Sequence, residues 1–224
     1  MPHLYISELT RLFQQYADPD KAAGAEKYMR NQFSFIGLQT PLRRELSRSF
    51  FRAHPIPSPS ELEVVIREAY HSPYRELHYA AIEWLAFQKK YWSPQMIPLI
   101  EWLLITNSWW DSVDLLNTTV IGPFFLQFPD QKEPVTRKWN LSENCWLQRS
   151  SLIFQLLYKE KTDTRLLAEF IENRQSDNEF FIRKAIGWAL RQYARTNPQW
   201  VTAFVKQHPG LSVLSKKEAL KHLK

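Results

Sequence analysis

The chain has 224 residues, of which 44% are hydrophobic, 14% aromatic and 23% charged, as expected of a globular protein with a sizeable buried core. Its 29 lysines and arginines against 23 acidic residues give a formal net charge of +6, which favours an anionic partner. A single cysteine, Cys145, excludes an internal disulfide, and five glycines argue against Gly-rich phosphate loops.

The N-terminal "MPHLYISELT" lacks the basic start and apolar run of a signal peptide. No apolar run reaches the ~18 residues that would suggest a membrane span. A reducing cytoplasm is the expected compartment. Taken in order, the chain reads as helix after helix, about twelve or thirteen in all, with no run of alternating strand residues. Prolines fall at expected helix starts: Pro59 after Ser58, Pro94 after Ser93 and Pro198 after Asn197.

The first basic patch is Arg43 and Arg44 in "QTPLRREL", which suits either a phosphate-facing surface or a solvated face. Three later segments look related: "YRELHYAAIEWL" at 74–85, "CWLQRSSLIFQL" at 145–156 and "FFIRKAIGWALR" at 180–191. Placing Arg149 over Lys184 sets a spacing of 35, and stepping back by that interval meets Asp114, Tyr79 and Arg44. The next column is small or apolar at Ala80, Leu115, Ser150 and Ala185, and breaks at Glu45. A helix pair of this length cannot bury its apolar face alone, so the expectation is an all-α solenoid of stacked helical repeats with a basic concave groove. One domain is expected to span 1–224, with the row Arg44, Tyr79, Asp114, Arg149 and Lys184 along the groove.

In "NSWWDSVDLL", Ser108 followed by Asp111 fits a capping pattern that opens a helix. Trp109, Val113, Leu116 and Val120 recur at helical spacing and form one core-facing stripe. Trp110, Asp114 and Asn117 share another, semi-polar face. Two readings stay open there: an Asp114–Arg149 salt bridge between neighbouring repeats, or a functional site. Arg149 lies in a nearly apolar helix, so its charge must be paired or face a ligand. Along "FFIRKAIGWALRQYAR", Lys184, Trp188, Arg191 and Arg195 make a basic stripe with one aromatic inserted. Such a stripe suits DNA phosphates and a base or cationic ligand, although Trp188 also fits helix-on-helix packing. Gly187 leaves room for a close approach.

The six histidines show no metal-ligand spacing, and no C-x-x-C, P-loop, dinucleotide fingerprint or G-x-S-x-G elbow is present. An enzyme with this sequence is expected to be free of metal and cofactor, with a carboxylate as catalyst.

The stretches "GLQTPLRREL", "SWWDSVD", "WLQR", "FFIRKAIGWALRQYAR" and "KYMRNQF" resemble the AlkD family of bacterial alkylpurine DNA glycosylases, which are built from HEAT-like repeats. The match runs nearly end to end. It implies that Asp114 is the catalytic carboxylate and that Trp110 and Trp188 contact the lesion nucleotide. It further implies that Arg149 supports the site and binds phosphate, and that Tyr28 belongs to the DNA surface. The implied activity is monofunctional excision of cationic alkylpurines from duplex DNA by a monomer, without flipping the base into a pocket. Two rivals remain at this stage, a non-catalytic DNA-binding solenoid and a protein-binding scaffold.

Overall fold

A computed structural model of the protein describes residues 4–56 and 58–223. The chain adopts the expected all-α repeat fold. Among the described residues there is no strand, only an isolated bridge between Ser34 and Tyr74. No described helix is long and apolar enough to cross a membrane. The chain divides into two compact units, Met1–Trp92 and Ser93–Lys224.

The first unit holds α1 (Leu4–Gln14), α2 (Pro19–Tyr28), α3 (Thr40–Ala53), α4 (Pro59–His71) and α5 (Arg75–Phe87). Asp18 caps α2 by accepting from the Lys21 N–H, and Ser58 caps α4 by accepting from the Glu61 N–H, with Pro59 in the first turn as expected. Leu9, Phe13, Val65, Ile66, Tyr70 and Trp84 are fully buried, and Phe51 stacks on Trp84 at 4.4 Å. This core also contains charge. Glu76 is buried at the start of α5, and its carboxylate accepts from the N–H groups of Ile36, Gly37 and Leu38. Gly37 has φ +99°, and a Cβ there would lie 2.1 Å from the Asp18 carbonyl oxygen, so only glycine fits this turn. Arg75 is buried over the Phe33 ring at 3.7 Å. It donates to His78 Nδ1, which leaves Nε2–H of a neutral imidazole to donate to the Ser72 carbonyl.

The second unit holds α6 (Ile97–Ile105), α7 (Trp110–Leu116), α8 (Gly122–Gln127), α9 (Pro129–Asn140), α10 (Cys145–Ile153), α11 (Thr164–Arg174), α12 (Phe180–Tyr193), α13 (Pro198–Gln207) and α14 (Val213–Ala219). Asn197 caps α13 ahead of Pro198. Pro94 opens only a 3₁₀ turn, Pro94–Met96, because Pro98 has no N–H to donate to the Pro94 carbonyl.

Helices one repeat apart are tied by side-chain bonds whose sequence separation clusters near the expected period. Asn117 bonds Ser150 at a separation of 33, Asp114 bonds Arg149 at 35, and Tyr158 bonds the Gly122 carbonyl at 36. The row read from the sequence is realised in part. Arg43, not Arg44, lies over the Tyr79 ring, and Lys184 bonds forward to Glu218.

Candidate active site

The site grows from the segment Asn107 to Leu116. Asn107 is in the left-handed region at φ 47° and breaks the chain away from α6. The cap expected from Ser108 does not form: its hydroxyl donates back to the Leu104 carbonyl and closes α6 instead. α7 begins at Trp110, and Trp109 stands extended at the cap position with no side-chain bond. Asp111 sits in the first turn as expected, where the helix dipole favours its charge. Val113, Leu116 and Val120 are buried. Trp109 is half-buried and meets Trp146 at 5.8 Å and Phe181 at 5.1 Å, so it packs as expected. Its indole N–H is buried with no hydrogen-bond partner among the described residues.

After Leu116 the helix widens into a π turn, Asn117–Ile121, in which the Gly122 N–H reaches back to the Asn117 carbonyl. Pro123 follows and has no N–H for the Thr119 carbonyl, a local reason for the widening. The hydroxyls of Thr118 and Thr119 donate to the Asp114 and Leu115 carbonyls. Asn117 does not extend the semi-polar face of Trp110 and Asp114. It is in helical register with α7, borders the buried stripe of Val113 and Leu116, and is itself fully buried, donating to the Val113 carbonyl and to Ser150 Oγ at 2.9 Å. This bond ties the end of α7 to α10 beside Arg149.

Asp114 and Arg149 form a two-pronged pair between α7 and α10. Arg149 Nε donates to Oδ1 at 2.8 Å and Nη2 donates to Oδ2 at 2.9 Å. Nη1 donates to the Phe181 carbonyl on α12 at 2.7 Å, and the guanidinium lies 6.0 Å from the Trp188 ring centroid. Arg149 is therefore paired, as its apolar helix requires, and its guanidinium is committed within the protein. Its side chain is 5% exposed, whereas Asp114 keeps 17%. Burial pushes the Asp114 carboxyl above its ordinary range, outweighing the attraction of Arg149, and the nearby Asp111 charge pushes the same way. Trp110 is half-buried on the same helix, four residues before Asp114. The result is a desolvated negative charge braced by one arginine beside half-buried tryptophans.

The remaining sequence candidates divide by unit. In Ser93–Lys224, Lys184 Nζ donates to Glu218 at 2.7 Å and Arg191 bonds the same carboxylate, while Arg195 is exposed. Gly187 does allow a close approach, but the visitor is α14: a Cβ there would lie 2.5 Å from Glu218 Cβ. In Met1–Trp92, Tyr28 is 70% exposed at the end of α2. Arg44 is half-exposed and donates to Glu83 at 3.0 Å. Arg43 is buried and donates to both Glu83 oxygens. Reasoning from sequence missed Glu218, whose place depends on how α14 docks, and the Phe181 carbonyl, which no side-chain pattern signals. Among the described residues no cluster of histidine, cysteine or carboxylate side chains is arranged to hold a metal.

Fold and site together define a helical-repeat protein whose second unit holds a sequestered carboxylate–guanidinium pair flanked by tryptophans. The chain belongs to the DNA alkylation repair enzyme family, whose model matches residues 9–223. It is similar to a solved structure from Enterococcus faecalis described as a predicted DNA alkylation repair enzyme, with 34% identity, coverage of 92% of this chain and 96% of that one, and a TM-score of 0.86. No curated protein sequence matches it.

Proposed function

We propose that the protein is a monofunctional DNA glycosylase that releases cationic N3- or N7-alkylated purines, such as 3-methyladenine and 7-methylguanine, from duplex DNA. The observation that carries this reading is the desolvated Asp114 carboxylate, braced by Arg149 in a chain of the DNA alkylation repair family. An alkylated purine already bears a positive charge, so the C1′–N bond electrons can leave with the base and neutralise it. The sugar is left with oxocarbenium character, which a preplaced carboxylate stabilises. Water then adds at C1′ and gives up a proton, with Asp114 able to orient it. Water is the only co-reactant, and no cofactor is called for.

Trp110 and Trp188 offer faces to the cationic nucleotide, so a pocket for a flipped base is not required, unlike most glycosylases. Arg149 acts by holding Asp114. Lys184 and Arg191 in the second unit serve DNA phosphates, as does Arg44 in the first, where Tyr28 also contacts DNA. The protein acts as a monomer in the cytoplasm, at the nucleoid.

The test is incubation with a duplex carrying one 7-methylguanine. Free base and an alkali-labile abasic site, with both strands uncut before alkali, are expected. Absence of released base with folded protein sinks the enzymatic reading. One observation favours a second reading, a non-catalytic DNA-binding protein: both Asp114 oxygens are engaged by Arg149, as in a structural ion pair. DNA binding without base release would support it.

A further inference from the structure

α14 lies unusually close to α12. Besides its approach to Glu218, a Cβ on Gly187 would come within 3.0 Å of the Ser215 carbonyl oxygen, so the helices meet at a distance that glycine allows. Ser215 Oγ donates to the Arg183 carbonyl at 2.9 Å and fastens the contact. This packing fixes the Cβ of Glu218 over the face of α12 that carries Lys184 and Arg191. Each cation takes one oxygen of the carboxylate: Lys184 bonds Oε1 and Arg191 bonds Oε2. The Lys184 hydrogen bond and the charges of Lys184 and Arg191 hold the carboxyl below its ordinary range, so it is ionised at neutral pH.

A phosphodiester has the same outline as this carboxylate: one negative charge shared by two oxygens that accept from two donors. We propose that Lys184 and Arg191 form a phosphate-binding site for the DNA backbone, that Glu218 fills it in the free protein, and that DNA enters by displacing the Glu218 carboxylate. The inference rests on the DNA-binding reading above and adds a competitor built into the chain. Displacement leaves the helices packed. The Cβ is held by Gly187, but the carboxylate turns about three side-chain torsions. The cluster is partly open, with side-chain exposures of 38% for Lys184, 24% for Arg191 and 17% for Glu218, so a phosphate can reach it. Glu218 thus lowers the hold on any duplex, damaged or not, because a phosphate contact carries no sequence information.

The experiment compares wild type, Glu218→Gln and Glu218→Ala for affinity to an unmodified short duplex across a salt series. Both variants are expected to bind about tenfold more tightly at low salt, with the gain shrinking as salt rises. In the wild type, the Lys184 ammonium and Arg191 guanidinium NMR signals are expected to shift as duplex is added, which tests the exchange even if a variant folds poorly. Variants no tighter than a wild type that binds DNA, or side-chain signals unmoved at saturation, overturn the competition. If base release from alkylated DNA persists in that case, the glycosylase reading stands and only the role of Glu218 falls. A wild type with no DNA affinity at low salt overturns both.

Discussion

In the unit Met1–Trp92, Glu76 is 1% exposed and its oxygens take N–H bonds from three successive residues, Ile36, Gly37 and Leu38. In Ser93–Lys224, the Asp114 side chain keeps 17% exposure and Arg149 is the only donor to its carboxylate among the described residues. The arginines differ likewise: Arg75 is spent on the Phe33 ring and His78, while Arg149 braces a carboxylate. A buried charge whose every bond closes on backbone holds a turn in place. A buried charge braced from one side, with its own ionisation made costly and some surface left open, is the arrangement on which the proposed glycosylase reading rests. Both carboxylates are buried, and they differ in their donors: backbone N–H groups at Glu76 and one guanidinium at Asp114.

The largest effect that would sharpen the contrast is on stability in the first unit. Glu76→Ala strands three backbone N–H groups and is expected to cost about 3–5 kcal/mol in denaturant melts. A loss within experimental error would break the assignment of Glu76 to holding the turn. Next is Gly187→Ala, whose new methyl would meet Glu218 Cβ and the Ser215 carbonyl. It is expected to cost about 1–3 kcal/mol as α14 is pushed off α12, and an unchanged melt would show that the contact yields freely. The smallest is a shift in pH dependence. On the proposed reading base release needs Asp114 ionised, and burial raises its pKa above the ordinary 3.8, so activity is expected to fall as pH drops through that raised value. The acid limb of kcat/KM is expected above pH 3.8, and a limb at or below it would contradict the desolvation of Asp114.

Much of the site was legible from residues alone. Arg149 stood out as a charge in an apolar helix, and the period of 35 pointed from it to Asp114, the partner it has. The stripe Val113, Leu116 and Val120 was readable because burial enforces helical spacing. Other features were not legible, each for a physical reason. Ser108 fits a capping pattern, yet its hydroxyl found the Leu104 carbonyl first. Asn117 follows the face of Asp114 by helical arithmetic, but that place also borders the buried Val113 and Leu116, and the amide is taken up inside by Ser150. Lys184 and Arg191 were legible as a basic stripe suited to phosphates, but not their partner Glu218, which reaches them only through the packing of α14 on α12.

On the proposed reading the Asp114 carboxylate does chemistry and is more than half of a structural ion pair. The most direct measurement is single-turnover release of 7-methylguanine by wild type and by Asp114→Asn, both shown to be folded and to bind the duplex. The asparagine keeps the shape and one acceptor for Arg149 but loses the charge. The account predicts a loss of roughly 10²–10⁴-fold in the release rate with duplex affinity largely kept. Equal release by the two proteins would contradict it.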